Sequence, residues 1–463
     1  MSHRVKIRRW VTASDNGPPA VTISAVSTLR RSLAPRALLR AFGGGLPANF
    51  WKLWASSATA NLADGVFLVA IPLIAVRLTS SPAAIAGIAI AAQIPMLLFG
   101  LVAGGLADRL DRRRTMLAVQ VMRVVVVGAL TGLAIADAVS LPVLYVAAFI
   151  IGSGEAFFDT NAQSILPSIV GRDRLVTANG RLFGAETIMN SFAGPPLGGL
   201  LVAIAVPLAL GGATLGYVVA AIGLLLIVGS FRAERTEPSR HLVSEIGEGI
   251  AYLGRHRLLL TLSSMVALGR LGSAGFFALL VLYAVAPGPM GLSEPGYGLL
   301  LVTFGVGSIV GSFVTGRAVA LFGRPGVLTL ATLIFGVGIA VPALTADPIL
   351  VGAGFFAGGV AIMGWNVTNV SLRQSILPAR LMGRVHATHR TMANLAGLIG
   401  AFVAGAVGET LGLQAAFAVG AALVLLGLLG RLIVTDERIR AAEAAADAER
   451  SADSTPSGEP PAG

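Results

Sequence analysis

The stretch AGGLADRLDRRRTM, Ala103–Met116, places two acids and four arginines within seven residues, directly after one long apolar run and directly before another. Each flanking run is long enough to cross a hydrocarbon layer of roughly 30 Å, which takes about 20 residues of helix. Charge confined to so short a segment between two such runs is the pattern of a turn at a membrane surface, since irregular backbone is tolerated there and not in lipid.

Working outward, the same pattern recurs. Twelve apolar runs lie at approximately 53–77, 83–107, 116–136, 142–162, 182–206, 208–231, 259–287, 297–321, 326–346, 349–370, 385–409 and 413–434. The 463 residues are 55% hydrophobic and 12% charged, with mean hydropathy +0.81. A soluble chain carries about 25% charged residues, so most of this surface faces lipid. Cysteine is absent, which excludes disulfides, thiolate metal sites and cysteine nucleophiles. The lysines, Lys6 and Lys52, lie in no phosphate-binding G-x-x-x-x-G-K-(S/T) segment, and H-E-x-x-H is missing; an ATP motor, a resident cofactor and a metal centre are not expected.

Twelve spans place both termini on one side, and the basic residues say which. Of 34 Lys and Arg, all but Arg77, Arg123 and Arg270 fall in the termini, at the adjoining helix ends, or in every second loop. Basic loops stay inside, so both termini are expected in the cytoplasm and the chain in the cell membrane. The net charge of +11 is then an orientation signal; nucleic-acid binding would need a clustered basic face.

The chain also repeats itself. QSILP occurs at Gln163–Pro167 and again at Gln374–Pro378, an offset of 211, and the same offset pairs Gly105 with Gly316, Arg113 with Arg324, Glu155 with Asn366 and Gly194 with Gly405. The expected organisation is a disordered basic leader (1–47), a six-helix bundle (48–231), a cytoplasmic connector (232–257), a second six-helix bundle (258–434) and a cytoplasmic tail (435–463) that begins as a short frayed helix and is otherwise disordered. Duplicated helical bundles around a midplane site are a design of secondary transporters.

Two motifs carry a family resemblance. The opening stretch resembles the loop between helices 2 and 3 of the major facilitator superfamily, G-x-L-A-D-R-x-G-R-(K/R), at Gly104, Leu106, Ala107, Asp108, Arg109, Arg112 and Arg113; Asp111 replaces the second glycine. On helix 5, NSFAGPPLGG resembles the family's antiporter pattern G-x-x-x-G-P-x-x-G-G at Gly194, Pro195, Gly198 and Gly199, with Asn190 in place of the first glycine. The resemblance implies an all-α membrane fold of twelve helices in two pseudo-symmetric six-helix bundles, covering about residues 50–434. It further implies a monomeric exporter of the drug or siderophore efflux branch. It makes Asp108, Arg109, Arg112, Arg113 and, by position on helix 4, Asp159 a cytoplasmic latch; the alternative is a loop that only sets topology. The glycines of helix 5 are expected to seal against helix 8, where Gly307 and Gly311 are also four apart.

Polar groups inside the spans should carry the chemistry, because a charge at mid-bilayer costs about 2.5–3.5 kcal/mol or more. The family's cavity is lined by helices 1, 4, 7 and 10, which makes Asn61, Asp64, Glu155, Arg270, Trp365, Asn366 and Asn369 candidates. Asp64, midway along helix 1, is the first candidate for a proton carrier, with Glu155 the next. Alternatively Asp64 is a permanently ionised partner of an arginine such as Arg270. Glu155 is expected to pair with Arg123, Glu186 is a weaker proton site, and His386 and His389 lie at a cytoplasmic end. Proton-driven export of a small amphipathic compound leads, followed by proton-coupled uptake, and then by a membrane receptor or lipid-moving protein.

Overall fold

The computed structural model describes residues 45–107, 111–229, 231, 247, 251–377 and 379–454. Asp108 and Arg109 of the opening stretch lie outside them, as do the residues 1–44 of the leader. Among the described residues there is no strand; an isolated bridge joins Val285 and Leu292.

The helices are α1 (Ala48–Leu78), α2 (Pro82–Ala107), α3 (Arg112–Ile135), α4 (Leu141–Ile169), α5 (Leu175–Ile204), α6 (Val206–Leu225) and α7 (Arg257–Ala284). A continuous stretch Glu294–Leu344 follows, then α10 (Pro348–Ile376), α11 (Ala379–Leu411) and α12 (Leu413–Leu426), the last extended by a 3-10 turn, Gly427–Leu432. The stretch Glu294–Leu344 has 51 residues, about 75 Å at 1.5 Å per residue, far more than one crossing needs. Gly323, at φ 68°, breaks it into α8 (294–322) and α9 (324–344). A left-handed residue reverses the chain there, and only glycine does so without strain. Twelve membrane helices result.

Contacts between helices repeat with a shift of six. In the first half α1 packs on α5 and α6, α3 on α4 and α6, and α2 on α4; in the second α7 packs on α11 and α12, α9 on α10 and α12, and α8 on α10. Between the halves α2 packs on α11 and α5 on α8, and these two pairs exchange under the same shift. The repeat in sequence is thus a repeat in packing. The first QSILP segment lies in the last turns of α4, and the second starts in the last turn of α10, at Gln374–Ile376.

Small residues set the closeness of these pairs. Ser56, Ala63 and Gly216 let α1 and α6 touch: a Cβ on Gly216 would stand 2.9 Å from the Ala63 Cβ, and the buried Ser56 hydroxyl donates to the Ala220 carbonyl at 2.7 Å. In α5 the prolines Pro195 and Pro196 withhold two N–H groups, and the ladder slips: Thr187–Ala193 is a π-helix, with the Gly194 N–H reaching the Met189 carbonyl five residues back. Such bulges recur at functional sites.

The helix of the tail is longer than the short frayed one expected: α13 (Asp436–Ser454) has nineteen residues, with Ile439 and Ala446 buried. Its sequence is rich in Ala, Glu and Arg, which favour helix, and a packing partner supplies the stability that an isolated short helix lacks.

Candidate functional site

The face that carries the start of α1 and the arginine-rich loops is termed the basic face, and the opposite one the far face. In the basic-face half of the first bundle lies a cavity of about 620 Å³. Its walls come from α1 (Ser57, Asn61, Asp64), α3 (Arg123), α4 (Glu155) and α5 (Glu186, Asn190).

At its inner end stands Asp64. One carboxylate oxygen accepts from Arg123 Nη1 at 3.2 Å and the other from the Tyr217 hydroxyl at 2.8 Å. Arg123 is buried, 2% exposed at the side chain, while Asp64 keeps 25% exposure. The guanidinium lies over the rings of Phe158 and Tyr217, 5.4 Å from each centroid. An arginine fixed by a carboxylate and two aromatic faces tolerates depth in the bilayer. The carboxylate is placed by the next residue: Gly65 packs on the π-turn of α5, where a Cβ would come within 2.6 Å of the Asn190 carbonyl oxygen and 2.9 Å of the Gly194 Cα. A mid-span acid is thereby anchored on one side and open to the cavity on the other.

Several expectations are redirected. The arginine on Asp64 is Arg123, not Arg270, and the same guanidinium shares the first cavity with Glu155, its expected partner. Arg270 instead lines a second cavity of about 180 Å³, together with Glu155, Gln93 and Asn394. Glu155 therefore belongs to both walls. Trp365 and Asn369 are 8% and 2% exposed, packed inside the second half rather than on either cavity wall, while Asn366 is exposed. His389 is buried against Ser263, 3.2 Å from its hydroxyl. Tyr217 and Gly65 escaped the sequence reading. The first had a signal, a lone hydroxyl-bearing ring amid the apolar run of α6; Gly65 had none, being one of 58 glycines.

The far face is closed by contacts between the halves. Arg77 Nη2 donates to Glu294 Oε1 at 2.8 Å, and Glu409 accepts from the Ser81 hydroxyl and the Ala83 N–H at 2.6 and 3.1 Å. A Cβ on Gly298 would lie 2.5 Å from the Pro195 carbonyl, and one on Gly405 2.8 Å from the Ala86 Cβ. A membrane protein closed at one face, with a polar cavity in the other half of its depth, has the form of one state of an alternating-access device.

The family model described as transmembrane secretion effector matches residues 47–458. The chain belongs to this family of the major facilitator superfamily. The transporter is 27% identical over 398 residues to the multidrug efflux pump Tap of Mycolicibacterium fortuitum, covering 81% of this chain and 93% of that one. It is 22% identical over 400 residues to macrolide efflux protein A of Streptococcus pyogenes, with coverages of 81% and 93%. A crystal structure of the nucleoside transporter NupG shares the fold, with TM-score 0.67 at 13% identity over 84% of this chain and 99% of that one. The protein is thus a multi-pass membrane transporter of the major facilitator type, a family that moves small molecules.

The motifs of the transporter take definite places. Asp111 caps α3: its carboxylate accepts the Arg114 N–H at 3.0 Å and the Phe231 N–H at 3.0 Å. Burial alone would raise its pKa, but those two N–H groups and the charges of Arg114 and Arg113 outweigh burial and hold it below the usual range. The family's glycine is thus replaced by a helix cap. Arg112 Nη1 donates to the Ser164 carbonyl near the end of α4 at 2.9 Å, and Arg113 donates to the Leu224 and Leu225 carbonyls at the end of α6. The remaining latch residues, Asp108 and Arg109 and the side chain of Asp159, lie outside the described residues. On α5 the expected seal is distributed differently. Gly194 and Gly198 face α1, with added Cβ atoms at 2.6 Å from the Gly65 Cα and 2.8 Å from the Val66 carbonyl oxygen, while Pro195 and Gly199 face α8. Gly307 and Gly311 pack on Phe356 and Val360 of α10, not on α5. A four-residue spacing presents one face of a helix, but not which neighbour meets it.

Proposed function

We propose that this transporter exports a small amphipathic compound, drug-like or siderophore-like, in exchange for protons, and that the state described here is open towards the cytoplasm. Orientation rests on the basic loops, which stay inside. Direction rests on the helix 5 pattern and on the efflux proteins to which the chain is similar.

The observation that carries the reading is Asp64, partly exposed in the cavity and bonded to both a buried arginine and a tyrosine hydroxyl. Three carboxylates, Asp64, Glu155 and Glu186, share this cavity with one guanidinium, Arg123, so the lining has an excess of negative charge when ionised and each proton taken up reduces it. A cationic or polar substrate entering from the cytoplasm favours the ionised form and displaces the proton. A proton arriving from outside neutralises Asp64 and permits the return. Asp108, Arg109, Arg112, Arg113 and Asp159 act as the cytoplasmic latch of the first half.

Reconstituted vesicles test this with a macrolide as probe. An exporter dissipates a preformed pH gradient in everted orientation when substrate is added; a symporter couples with the opposite sign, and a receptor binds without flux. Asp64→Asn fixes the neutral form: it is expected to lose substrate-driven proton movement yet exchange substrate down its gradient. A folded Asp64→Asn protein that still accumulates substrate uphill overturns the assignment of Asp64.

A further inference from the structure

The two QSILP segments stand where helices α4 and α10 run out of backbone partners. Proline has no N–H, so Pro167, inside α4, returns no bond to the carbonyl of Gln163 four residues earlier, and α10 stops at Ile376, which leaves its last carbonyls without a following turn. The last carbonyls of a helix are also its negative end and attract a cation. In the first half the cation comes from the turn before α3, where Arg112 donates to the Ser164 carbonyl at 2.9 Å and lies 3.5 Å from the Ser168 hydroxyl.

In the second half the arginine of the turn, Arg324, bonds Glu443 instead. The repeat offset of 211 puts Gly323 where the first half has Arg112. The carbonyl equivalent to that of Ser164 belongs to Ser375, and its guanidinium arrives from α13. Arg450 Nη2 donates to the Ser375 carbonyl at 2.8 Å and lies 3.4 and 3.5 Å from those of Gln374 and Leu377. Asp447, one turn earlier, holds Arg450 at 3.0 Å.

The same helix grips the α8–α9 turn. Glu443 pairs with Arg324, the repeat-mate of Arg113, and lies beside Ser375, whose hydroxyl donates to the Leu372 carbonyl at 3.0 Å. Asp436 fills the space beside Gly323, where a Cβ would stand 3.4 Å from its carboxylate oxygen. A separate helix has thus taken over, at the symmetry-related place, the contact that the first half makes with its own loop.

We propose that α13 is a clamp of the transport cycle: Arg450 supplies to the end of α10 the guanidinium that Gly323 cannot, and Glu443 holds Arg324 of the α8–α9 turn to the same helix, so that α8, α9 and α10 move as one body. Arg450 and Glu443 are positioning residues, acting on the rate at which the two access states exchange and not on substrate binding.

The chain has no cysteine, so single labels can be introduced directly. The full-length transporter in nanodiscs is compared by hydrogen exchange as wild type, Arg450→Ala, Arg450→Lys and Arg438→Ala, the last being an exposed residue of the same helix that bonds only its own neighbourhood. Arg450→Ala is expected to speed exchange over 372–377 about tenfold while 161–166, the repeat-equivalent segment, stays as in wild type. Lysine retains part of the protection, and Arg438→Ala changes nothing. In the same samples a spin-label pair at Val176 and Leu321, on α5 and α8, reads the basic-face distance; Arg450→Ala is expected to broaden its distribution. The charge-reversed pair Arg324→Glu with Glu443→Arg is expected to restore the narrow distribution that Glu443→Arg alone loses. Unchanged exchange over 372–377, an equal rise in both segments, or an unbroadened distance distribution in Arg450→Ala overturns the proposal.

Discussion

At the residue scale the site is a triad of unequal members. Arg123 is buried deep in the bilayer, and its charge is tolerable because Asp64 and two aromatic faces surround it. Removing one member therefore harms more than removing the pair. Arg123→Ala is expected to lower the thermal midpoint in detergent more than the double variant Arg123→Ala/Asp64→Ala, with a coupling of about 0.5–3 kcal/mol in a double-mutant cycle; a strictly additive cycle removes the pair from the account. Tyr217→Phe deletes only the hydroxyl that reaches Asp64 from a fully buried ring. Because hydrogen bonds to charged groups contribute about 1.5–3 kcal/mol, a stability loss in that range is expected, measured by the same melt.

At the element scale, adjacent glycines of α5 have separate duties. Gly198 faces α1 inside the first half, and Gly199 faces the start of α8 across the two halves. Gly198→Leu is expected to cripple folding, read as loss of a monodisperse peak after detergent extraction. Gly199→Leu is expected to fold but to wedge the far face, lengthening a spin-label distance between the far ends of α5 and α8. Equal behaviour of the two variants removes this division. The glycine pattern of α5 thus serves two contacts, only one of which crosses between halves.

At the scale of the whole molecule, packing rather than charge closes the far face. The Arg77–Glu294 bridge is 45% and 27% exposed at its side chains, and exposed bridges contribute about 0–1 kcal/mol. Glu294→Gln is accordingly expected to shift the far-face distance populations by no more than about fivefold. At the basic face the docking of α13 should depend on pH in one direction. Burial pushes the Glu443 carboxyl up, but the polar Ser375 side chain beside it and the Arg324 guanidinium outweigh burial and set its pKa below the ordinary 4.5. A carboxylate depressed on docking contributes above its undocked pKa, and the contribution is lost as pH falls through the docked value. Protection of the 372–377 segment is therefore expected to be level from pH 8 to 5 and to fall only below 4.5; loss of protection near neutrality contradicts it.

The number of spans, the duplication and the depth of the charged residues were legible in the sequence, because hydrocarbon thickness fixes run length and the cost of burying charge makes every intramembrane ion conspicuous. Asp64, Arg123, Glu155 and Arg270 stood out for that reason alone. Which of them meet did not, since pairing depends on helix rotation and neighbour choice, and an apolar chain in an apolar solvent leaves those to close packing of small residues. Gly65 against the π-turn of α5 turns Asp64 towards Arg123 and Tyr217, and the crossing of α8 with α10 takes Gly307 and Gly311 away from α5. The tail shows the same division: its composition permitted a helix, but only the Ser375 carbonyl, the Arg324 charge and the space beside Gly323 gave that helix a place to dock.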